Sequence, residues 1–430
     1  MNTVDTLTNT ADTLTSGLYR PSFEKDSCGF GLIAQMDGVP SHWLVQTAIN
    51  SLACLTHRGA VAADGKTGDG CGLLFKKPAA FLEAIAKEQD FALAPLYAVG
   101  MAFLSRDAAL ATRARRQVET ELREQGLTPA GWRVVPINPV ACGEESLKSL
   151  PIIEQVFVNA PSNMDNAAFE RALFIARRRA EKAIEPHDDT FYISTLSGNV
   201  ISYKGLVMPA NLPVFYLDLT DERFTSALCV YHQRFSTNTW PRWRLAQPFR
   251  FLAHNGEINT IQGNRYWSLA RGSKFKTPLI PNMEDILPLV SVSGSDSMSL
   301  DNMLEVLLAG GMDLFHAMRL LVPPAWQNIE SMDPDLRAFY EYNSMHMESW
   351  DGPAGIVMTD GRYAACTMDR NGLRPARYVI TRDRHITLAS EIGVYNYAPE
   401  DVVAKGRLKP GQMLAADTST STLLPPADTD

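Results

Sequence analysis

The chain has 430 residues, a formal net charge of −8 at pH 7, 45% hydrophobic residues and 20% charged residues. This length and composition are typical of a folded chain with a sizeable core, and the mild acidity argues against a nucleic-acid binder. The leader lacks a basic start followed by an apolar core, and no long apolar run occurs, so the sequence predicts neither a secretory signal nor a membrane span. We expect a cytoplasmic protein whose partners are small molecules or other proteins.

The six cysteines are scattered along the chain without a CxxC pair. This spacing predicts neither a disulfide framework nor a metal site. We interpret most of them as small buried hydrophobic residues.

The first part of the chain predicts alternating strands and helices after a Thr-rich leader, residues 1–27, which we expect to be disordered. The pattern predicts strands at 28–36, 68–75, 96–104 and 132–138, a helix at 43–55, and a helix that Ser105 caps and Gly126 ends. A further amphipathic helix spans 169–180, and its three consecutive arginines, 177–179, are predicted to form a solvated face.

The second part predicts a β-hairpin over 191–206, a strand at 227–235, and helices at 295–310, 313–321 and 335–345. A second hairpin turns at Asp360-Gly361, and residues 416–430 resemble a linker. Strands interspersed with helix pairs, without regular βαβ alternation, indicate an α+β layered domain over 28–415 with antiparallel sheets.

Cys28 stands in the segment CGFG, between the polar leader and an apolar run. A cysteine at the start of a buried strand is more often a core residue than a catalytic one. Gly29 and Gly31, however, remove side chains beside it and permit close approach of a ligand or of other backbone. If the leader were removed, Cys28 would carry an α-amine with a pKa of about 7.7–8.0, which can take the thiol proton and return it to a leaving amine.

Three further segments carry groups suited to acyl transfer from an amino acid. In HNGE, 254–257, the Asn255 amide and the Gly256 N–H can bind a developing oxyanion, although Asn-Gly alone is typical of a turn. Arg234 can hold a carboxylate and Asp296 an ammonium group. Taken singly, Arg234 is typical of a surface ion pair and Asp296 of a helix cap or first-turn acid.

Several segments occur in one order: CGFG at 28–31, HRGA at 57–60, TGDGCG at 67–72, YKGL at 203–206, QRFSTNT at 233–239, AHNGEINT at 253–260, SGSDSMSLDN at 293–302 and DRNGLRPARY at 369–378. In these segments the chain resembles the class II, N-terminal-nucleophile glutamine amidotransferases, and in particular the amidotransferase domain of glutamate synthases. The resemblance covers residues 28–415. It implies a four-layer αββα sandwich with two largely antiparallel sheets, and removal of residues 1–27 as a propeptide.

By this resemblance the chain hydrolyses L-glutamine to L-glutamate and ammonia, which a synthase region uses to aminate 2-oxoglutarate. Cys28 is then both nucleophile and base, and Asn255 with Gly256 forms the oxyanion hole. Arg234 and Asp296 hold the carboxylate and the amine of glutamine.

Other residues are implied in supporting roles, with Gly294 and Ser295 at the substrate site and Arg58 and Glu257 behind it. No metal or cofactor is implied within this chain. FMN and an iron–sulfur cluster are expected in the synthase region, which is either part of the same polypeptide or a partner chain, together with a small reductase subunit.

Three alternatives stay open. SGSDS resembles the SGGxDS loop of ATP pyrophosphatases, which favours a free-standing amidotransferase of asparagine or purine biosynthesis, but it is one residue shorter and lacks the second glycine. A protease-like hydrolase would pair Cys28 with His57, His232 or His254, to which we assign structural roles. The third alternative is a non-catalytic glutamine-sensing module.

Overall fold

A computed structural model describes residues 28–234 and 240–429. The predicted leader, 1–27, and positions 235–239 of the QRFSTNT segment lie outside the described residues. The strands are β1 (Gly29–Gln35), β2 (Thr67–Lys76), β3 (Tyr97–Leu104), β4 (Thr128–Val134), β5 (Ile152–Asn159), β6 (Tyr192–Ser197), β7 (Val200–Val207), β8 (Leu228–Gln233), β9 (Leu252–Gly256), β10 (Ala354–Thr359), β11 (Tyr363–Met368), β12 (Arg377–Thr381), β13 (His385–Ala389), β14 (Val402–Arg407), β15 (Met413–Asp417) and β16 (Thr422–Leu424).

The helices include every helix that the sequence predicted. They are α1 (His42–Cys54), α2 (Ala79–Glu88), α3 (Ala108–Glu124), α4 (Glu144–Lys148), α5 (Asn166–Ile184), α6 (Leu212–Phe215), α7 (Ile261–Arg271), α8 (Asp296–Ala309), α9 (Leu314–Leu321) and α10 (Pro334–Ser344). The cap of α3 is Asp107 and not Ser105, because the Asp107 carboxylate accepts from the first free backbone N–H groups of the helix. Within the described residues, no helix combines the length and apolarity needed to cross a membrane.

The strands form three sheets, and every pairing between described strands is antiparallel. A seven-stranded sheet has the order β14-β12-β13-β1-β8-β2-β7, and a five-stranded sheet has the order β16-β15-β11-β10-β9. The remaining four strands have the order β4-β5-β3-β6. The prediction of antiparallel sheets is confirmed, but the chain adds a third sheet to the two that the resemblance implied.

The two larger sheets stack face to face between helices. Alternate residues of β1 point to opposite sides: Ile33 packs with Leu44 of α1, whereas Phe30 and Leu32 pack against β10 and β11. The outer face of the five-stranded sheet packs under α8 and α9. This arrangement gives the αββα layers, and burial of both faces of β1 explains its continuous apolar run.

The third sheet is formed by the segment inserted between β2 and β7. One of its faces packs against α3 and α5. The prediction of a β-hairpin over 191–206 is wrong, because β6 pairs with β3 whereas β7 pairs with β2. The turn at Gly198-Asn199 therefore carries the chain from one sheet to another. Turn residues alone do not decide which strands pair.

The prediction that arginines 177–179 form a solvated face of α5 is wrong for Arg177. Arg177 is only 2% exposed and forms ion pairs with Glu181, at 2.6 Å, and with Glu305 of α8. Arg179, on another side of the helix, is partly exposed and pairs with Glu121. Since α5 lies between α3 and α8, more than one of its faces is covered.

The prediction of a linker-like tail is also wrong for most of 416–430. β15 extends to Asp417, and β16 pairs with it through Ala415–Leu424 and Asp417–Thr422. Arg362 binds the Asp417 carboxylate and fixes this edge of the sheet to the turn between β10 and β11. The hairpin predicted at Asp360-Gly361 is confirmed by the pairing of β10 with β11.

Candidate active site

Cys28 immediately precedes β1 of the seven-stranded sheet. Its surroundings explain why Gly29 and Gly31 follow it. A Cβ on Gly29 would come within 3.2 Å of the Arg58 side chain, and a Cβ on Gly31 would collide with the Tyr231 ring. Both glycines therefore leave room for neighbouring side chains packed around the strand. The close approach that the sequence suggested at CGFG is observed, and it is made by the protein itself.

Charged groups from four segments act electrostatically on the thiol of Cys28, a residue that is 7% exposed. Burial raises the pKa of the Cys28 thiol to about 12, with Arg234 and Arg374 acting to lower it and Asp69 and Asp296 acting to raise it. The thiol is therefore protonated at neutral pH. A reaction at this sulfur requires a base that accepts its proton.

Arg234 follows β8 and is held beside Cys28 by a buried carboxylate. Its Nε lies 3.4 Å from Oδ2 of Asp69, and its backbone N–H donates to the Gly70 carbonyl. Its φ is +82°, a region that side-chain-bearing residues rarely adopt and that is concentrated at functional sites. Asp69 also accepts from the Ala60 N–H and from the Gln233 side chain, so it joins the HRGA and QRF segments.

Asn255 and Gly256 end β9, directly opposite β10. The Asn255 side chain is buried, and its Oδ1 has no hydrogen-bond partner within residues 28–234 and 240–429. Gly256 has a φ of +137°, and a Cβ there would collide with the Pro353 carbonyl, so only glycine fits. A buried amide oxygen without a partner is costly, and such an atom calls for an explanation in the surroundings of the site.

Asp296 is the first residue of α8, as the sequence predicted for a first-turn acid. Its carboxylate accepts from the N–H groups of Ile258 and Ser297, which ties α8 to the segment after Asn255. The Ser295 hydroxyl caps the helix by accepting from Met298 N–H. Arg265 binds the carbonyls of Gly294 and Ser295, so this loop is fixed by its main chain.

Arg58 and Glu257, to which the resemblance gave supporting roles, each contact a neighbouring segment of the fold. Arg58 and His57 both bind the Glu391 carboxylate, next to Ser390, which exchanges hydrogen bonds with Phe30 of β1. The Glu257 N–H donates to the Pro353 carbonyl and helps to position the end of β9.

The two buried histidines are held by hydrogen bonds beneath the site. His232 binds the His254 carbonyl, and burial lowers the pKa of His232 to about 3. His254 bonds to the Ser297 hydroxyl, and burial lowers its pKa, with Asp296 acting in the opposite direction. These contacts support the structural roles that we assigned to both residues.

Sequence reasoning missed four residues of this region: Asp69, Arg265, Arg374 and Glu391. Three of them lie in or near segments that carry the family resemblance: Asp69 in TGDGCG, Arg265 after AHNGEINT and Arg374 in DRNGLRPARY. Arg374 acts electrostatically on Cys28 and His254, and its buried Nε has no hydrogen-bond partner in the described part of the chain. An Asp between two glycines was the available signal for Asp69, whereas nothing in the sequence marked Glu391.

The comparisons with known proteins agree with this architecture. Residues 28–429 match the family described as Glutamine amidotransferases class-II. The chain belongs to this family.

Curated relatives place the match within larger proteins. The chain is 42% identical over 403 residues to the "Glutamate synthase [NADPH] large chain" of Bacillus subtilis (strain 168), covering 93% of this chain and 26% of that protein. It is 44% identical over 420 residues to the protein of the same name from Azospirillum brasilense, covering 96% and 28%. It is 41% identical over 404 residues to the "Ferredoxin-dependent glutamate synthase 1, chloroplastic/mitochondrial" of Arabidopsis thaliana, covering 92% and 25%. The chain thus spans about a quarter of the length of these relatives.

Proposed function

We propose that this chain is the glutaminase domain of a glutamate synthase and hydrolyses L-glutamine to L-glutamate and ammonia. The observation that carries the proposal is that Arg234 and Asp296 both act electrostatically on the buried Cys28 sulfur, while Asp296 is bonded to the segment that follows Asn255. The names of the curated relatives support glutamate synthase over asparagine or purine biosynthesis.

In the proposed reaction, residues 1–27 have been removed and Cys28 carries a free α-amine. Because the thiol is protonated at neutral pH, the neutral amine accepts its proton as the sulfur attacks the side-chain amide carbon of glutamine. Asn255 and the Gly256 N–H bind the oxyanion that forms. When the carbon–nitrogen bond breaks, the ammonium group of Cys28 returns the proton and ammonia leaves.

The resulting thioester is then hydrolysed by water. The same amine removes a proton from the water molecule as its oxygen attacks the acyl carbon. The carbon–sulfur bond breaks, the sulfur regains a proton, and glutamate is released. Throughout, Arg234 binds the substrate α-carboxylate and Asp296 its ammonium group, with the main chain of Gly294 and Ser295 beside them. Arg58 and Glu257 hold the surrounding segments.

We place the ammonia-consuming chemistry in a synthase region outside this chain, with 2-oxoglutarate as acceptor and a small reductase subunit as a further partner. FMN and an iron–sulfur cluster would belong to that region. Across residues 28–234 and 240–429, no group of three or more His, Cys, Asp or Glu side chains is arranged to hold a metal ion. We propose that glutamine hydrolysis is carried out by the residues named above and that it occurs in the cytoplasm.

Ammonia release from glutamine by the purified chain tests the proposal. We expect Cys28→Ser to reduce the rate roughly a thousandfold or more, because the nucleophile is lost, and Cys54→Ser, at an exposed position, to leave it unchanged. An electrophilic glutamine analogue should form a covalent adduct at Cys28 alone. Full activity in Cys28→Ser would refute the proposed nucleophile.

The synthase assignment needs a separate measurement on the whole protein. Glutamine, 2-oxoglutarate and an electron donor should give two molecules of glutamate per glutamine consumed. Glutaminase activity without this conversion would favour a free-standing amidotransferase.

A further inference from the structure

A cavity of about 430 Å³ lies away from Cys28, between the third sheet and the helices that cover the five-stranded sheet. Residues from α5, β6, α8 and the turn between β10 and β11 line it. Its volume is in the range of small-molecule sites. On α8 it reaches Glu305, nine residues beyond Asp296, or about 13 Å along the helix axis.

One end of the cavity holds two carboxylates that lack a cationic partner. Glu170 accepts from the Ser197 hydroxyl at 2.8 Å and from the Gly198 N–H at 2.6 Å. Asp360 accepts only from the backbone N–H groups of Arg362 and Tyr363 among the described residues. Neither carboxylate forms an ion pair in the part of the chain that the structure describes.

Lys77 acts electrostatically on Glu170 but forms no ion pair with it among the described residues. Lys77 donates to the Tyr97 carbonyl at 2.8 Å and lies over the Tyr97 ring, with its ammonium 3.7 Å from the ring centre. Burial raises the pKa of Glu170 to about 7, with Lys77 acting to lower it and Asp360 to raise it. Burial also raises the pKa of Asp360, with the backbone N–H groups of Tyr363 and Arg362 and the Arg362 charge acting to lower it. A positive charge beside either carboxylate would favour its ionised form.

The other end of the cavity offers a buried donor without an acceptor. Arg250 is 5% exposed and uses its Nη2 for Glu181 and for the Ile193 carbonyl. Its Nε has no hydrogen-bond partner among the residues that the structure describes, and it lies 3.9 Å from the Glu305 carboxylate, too far for a hydrogen bond. Ile193 and Ser197 are four residues apart on β6, so the donor end and the acidic end are about 13 Å apart along the strand.

Apolar side chains form the wall between these two ends. Phe174 of α5, Leu308 of α8, Leu314 of α9 and Tyr363 of β11 line it. A ligand that fills the cavity would bury an apolar body against these side chains.

We propose that this cavity binds a small amphipathic amine, with its ammonium group at Glu170 and Asp360, an apolar chain between the walls, and a hydrogen-bond acceptor at the Nε of Arg250. The proposal is independent of glutamine hydrolysis, since none of these residues belongs to the candidate active site. The length of the cavity selects a molecule whose charged ends are separated by several methylene groups.

Calorimetric titration of the 430-residue chain with 6-aminohexanoate, hexylamine and hexanoate tests the proposal. We expect 6-aminohexanoate to bind most tightly, and hexanoate, which lacks the amine, at least tenfold more weakly. Glu170→Gln and Asp360→Asn should each weaken 6-aminohexanoate binding at least tenfold. Equal binding of hexanoate, or no binding of either amine, would overturn the proposal.

A second pair of variants keeps the test decisive if the acid variants fold poorly. Ala167→Trp, at an exposed position lining the cavity, should abolish binding by obstructing it. Asn166→Trp, on the adjacent exposed residue that does not line it, should bind as the parent does. Binding that survives Ala167→Trp, or that excess L-glutamine displaces, would assign the probe to another site and refute the proposal.

Discussion

Asp69 is the residue that joins the separate segments around Cys28. Its carboxylate faces the Arg234 guanidinium, the Ala60 N–H and the Gln233 amide, and both Asp69 and Gln233 are buried. A Cβ on Gly59 would collide with the Gln233 amide, so the HRGA segment needs its glycine to approach β8 this closely. The position of Arg234 thus depends on residues distant from it in sequence.

Asp69→Asn tests this dependence while keeping the size of the side chain. We expect the KM for glutamine to rise about tenfold, equivalent to about 1.4 kcal/mol, because the charge that orients Arg234 is lost. The kcat should change less, since the oxyanion groups are untouched. Steady-state ammonia release measures both constants, with Asp107→Asn, a helix cap that Asn fills equally well, as the control. An unchanged KM would contradict the role of Asp69.

Asn255→Ala separates transition-state binding from ground-state binding. Removing one oxyanion donor costs about 2.7–4 kcal/mol of barrier, so we expect the kcat to fall by a factor of about 100 to 1,000. The KM should change much less, because the substrate carbonyl carries little charge before attack. Asn163→Ala, at an exposed position, is the control. A rise in KM with kcat preserved would make Asn255 a ground-state binding residue.

Helix α5 connects the segment inserted between β2 and β7 to the two larger stacked sheets. Burial alone would raise the pKa of Glu181, but Arg177, Arg250 and Arg178 lower it to about 2. Arg177 also reaches Glu305 on α8. The helix is therefore held by a buried ion-pair network in addition to its apolar contacts.

Arg177→Met should destabilise the fold by about 3–5 kcal/mol, because it removes a buried cation that pairs with both Glu181 and Glu305. Arg179→Met, two residues along the same helix, should cost less than about 1 kcal/mol, since that side chain is 32% exposed. Urea unfolding followed by circular dichroism measures both variants. Equal losses would show that burial of Arg177 does not matter to stability.

The whole molecule holds its candidate nucleophile at the start of a central strand, where a free α-amine would lie beside the charged groups of the site. We expect mass spectrometry of active protein to show a chain that begins at Cys28. Acetylation of the α-amine should abolish activity, and kcat/KM should fall about tenfold per pH unit below the amine pKa of about 8, because the protonated amine accepts no proton. Full activity in protein that retains Met1 would contradict this maturation step.

Local patterns were sufficient for much of the fold. Capping residues and periodicity predicted α1, α8 and α9, and the Asp-Gly turn predicted the β10–β11 hairpin. Each depends on residues close in sequence, and so do the segments that carry Cys28 and Asn255.

The predictions that were wrong concern features that depend on contacts between residues distant in sequence. The partner of β6, the burial of Arg177 and the pairing of β16 are set by elements many residues away, which local periodicity does not report.

The sequence by itself determined the chemical groups available, because a nucleophilic sulfur, a positive-φ glycine and a first-turn acid are properties of residue type and immediate neighbours. Only the tertiary structure decided which carboxylates hold which arginines and where a cavity forms, because burial and ion pairing arise when separate segments pack together and exclude water.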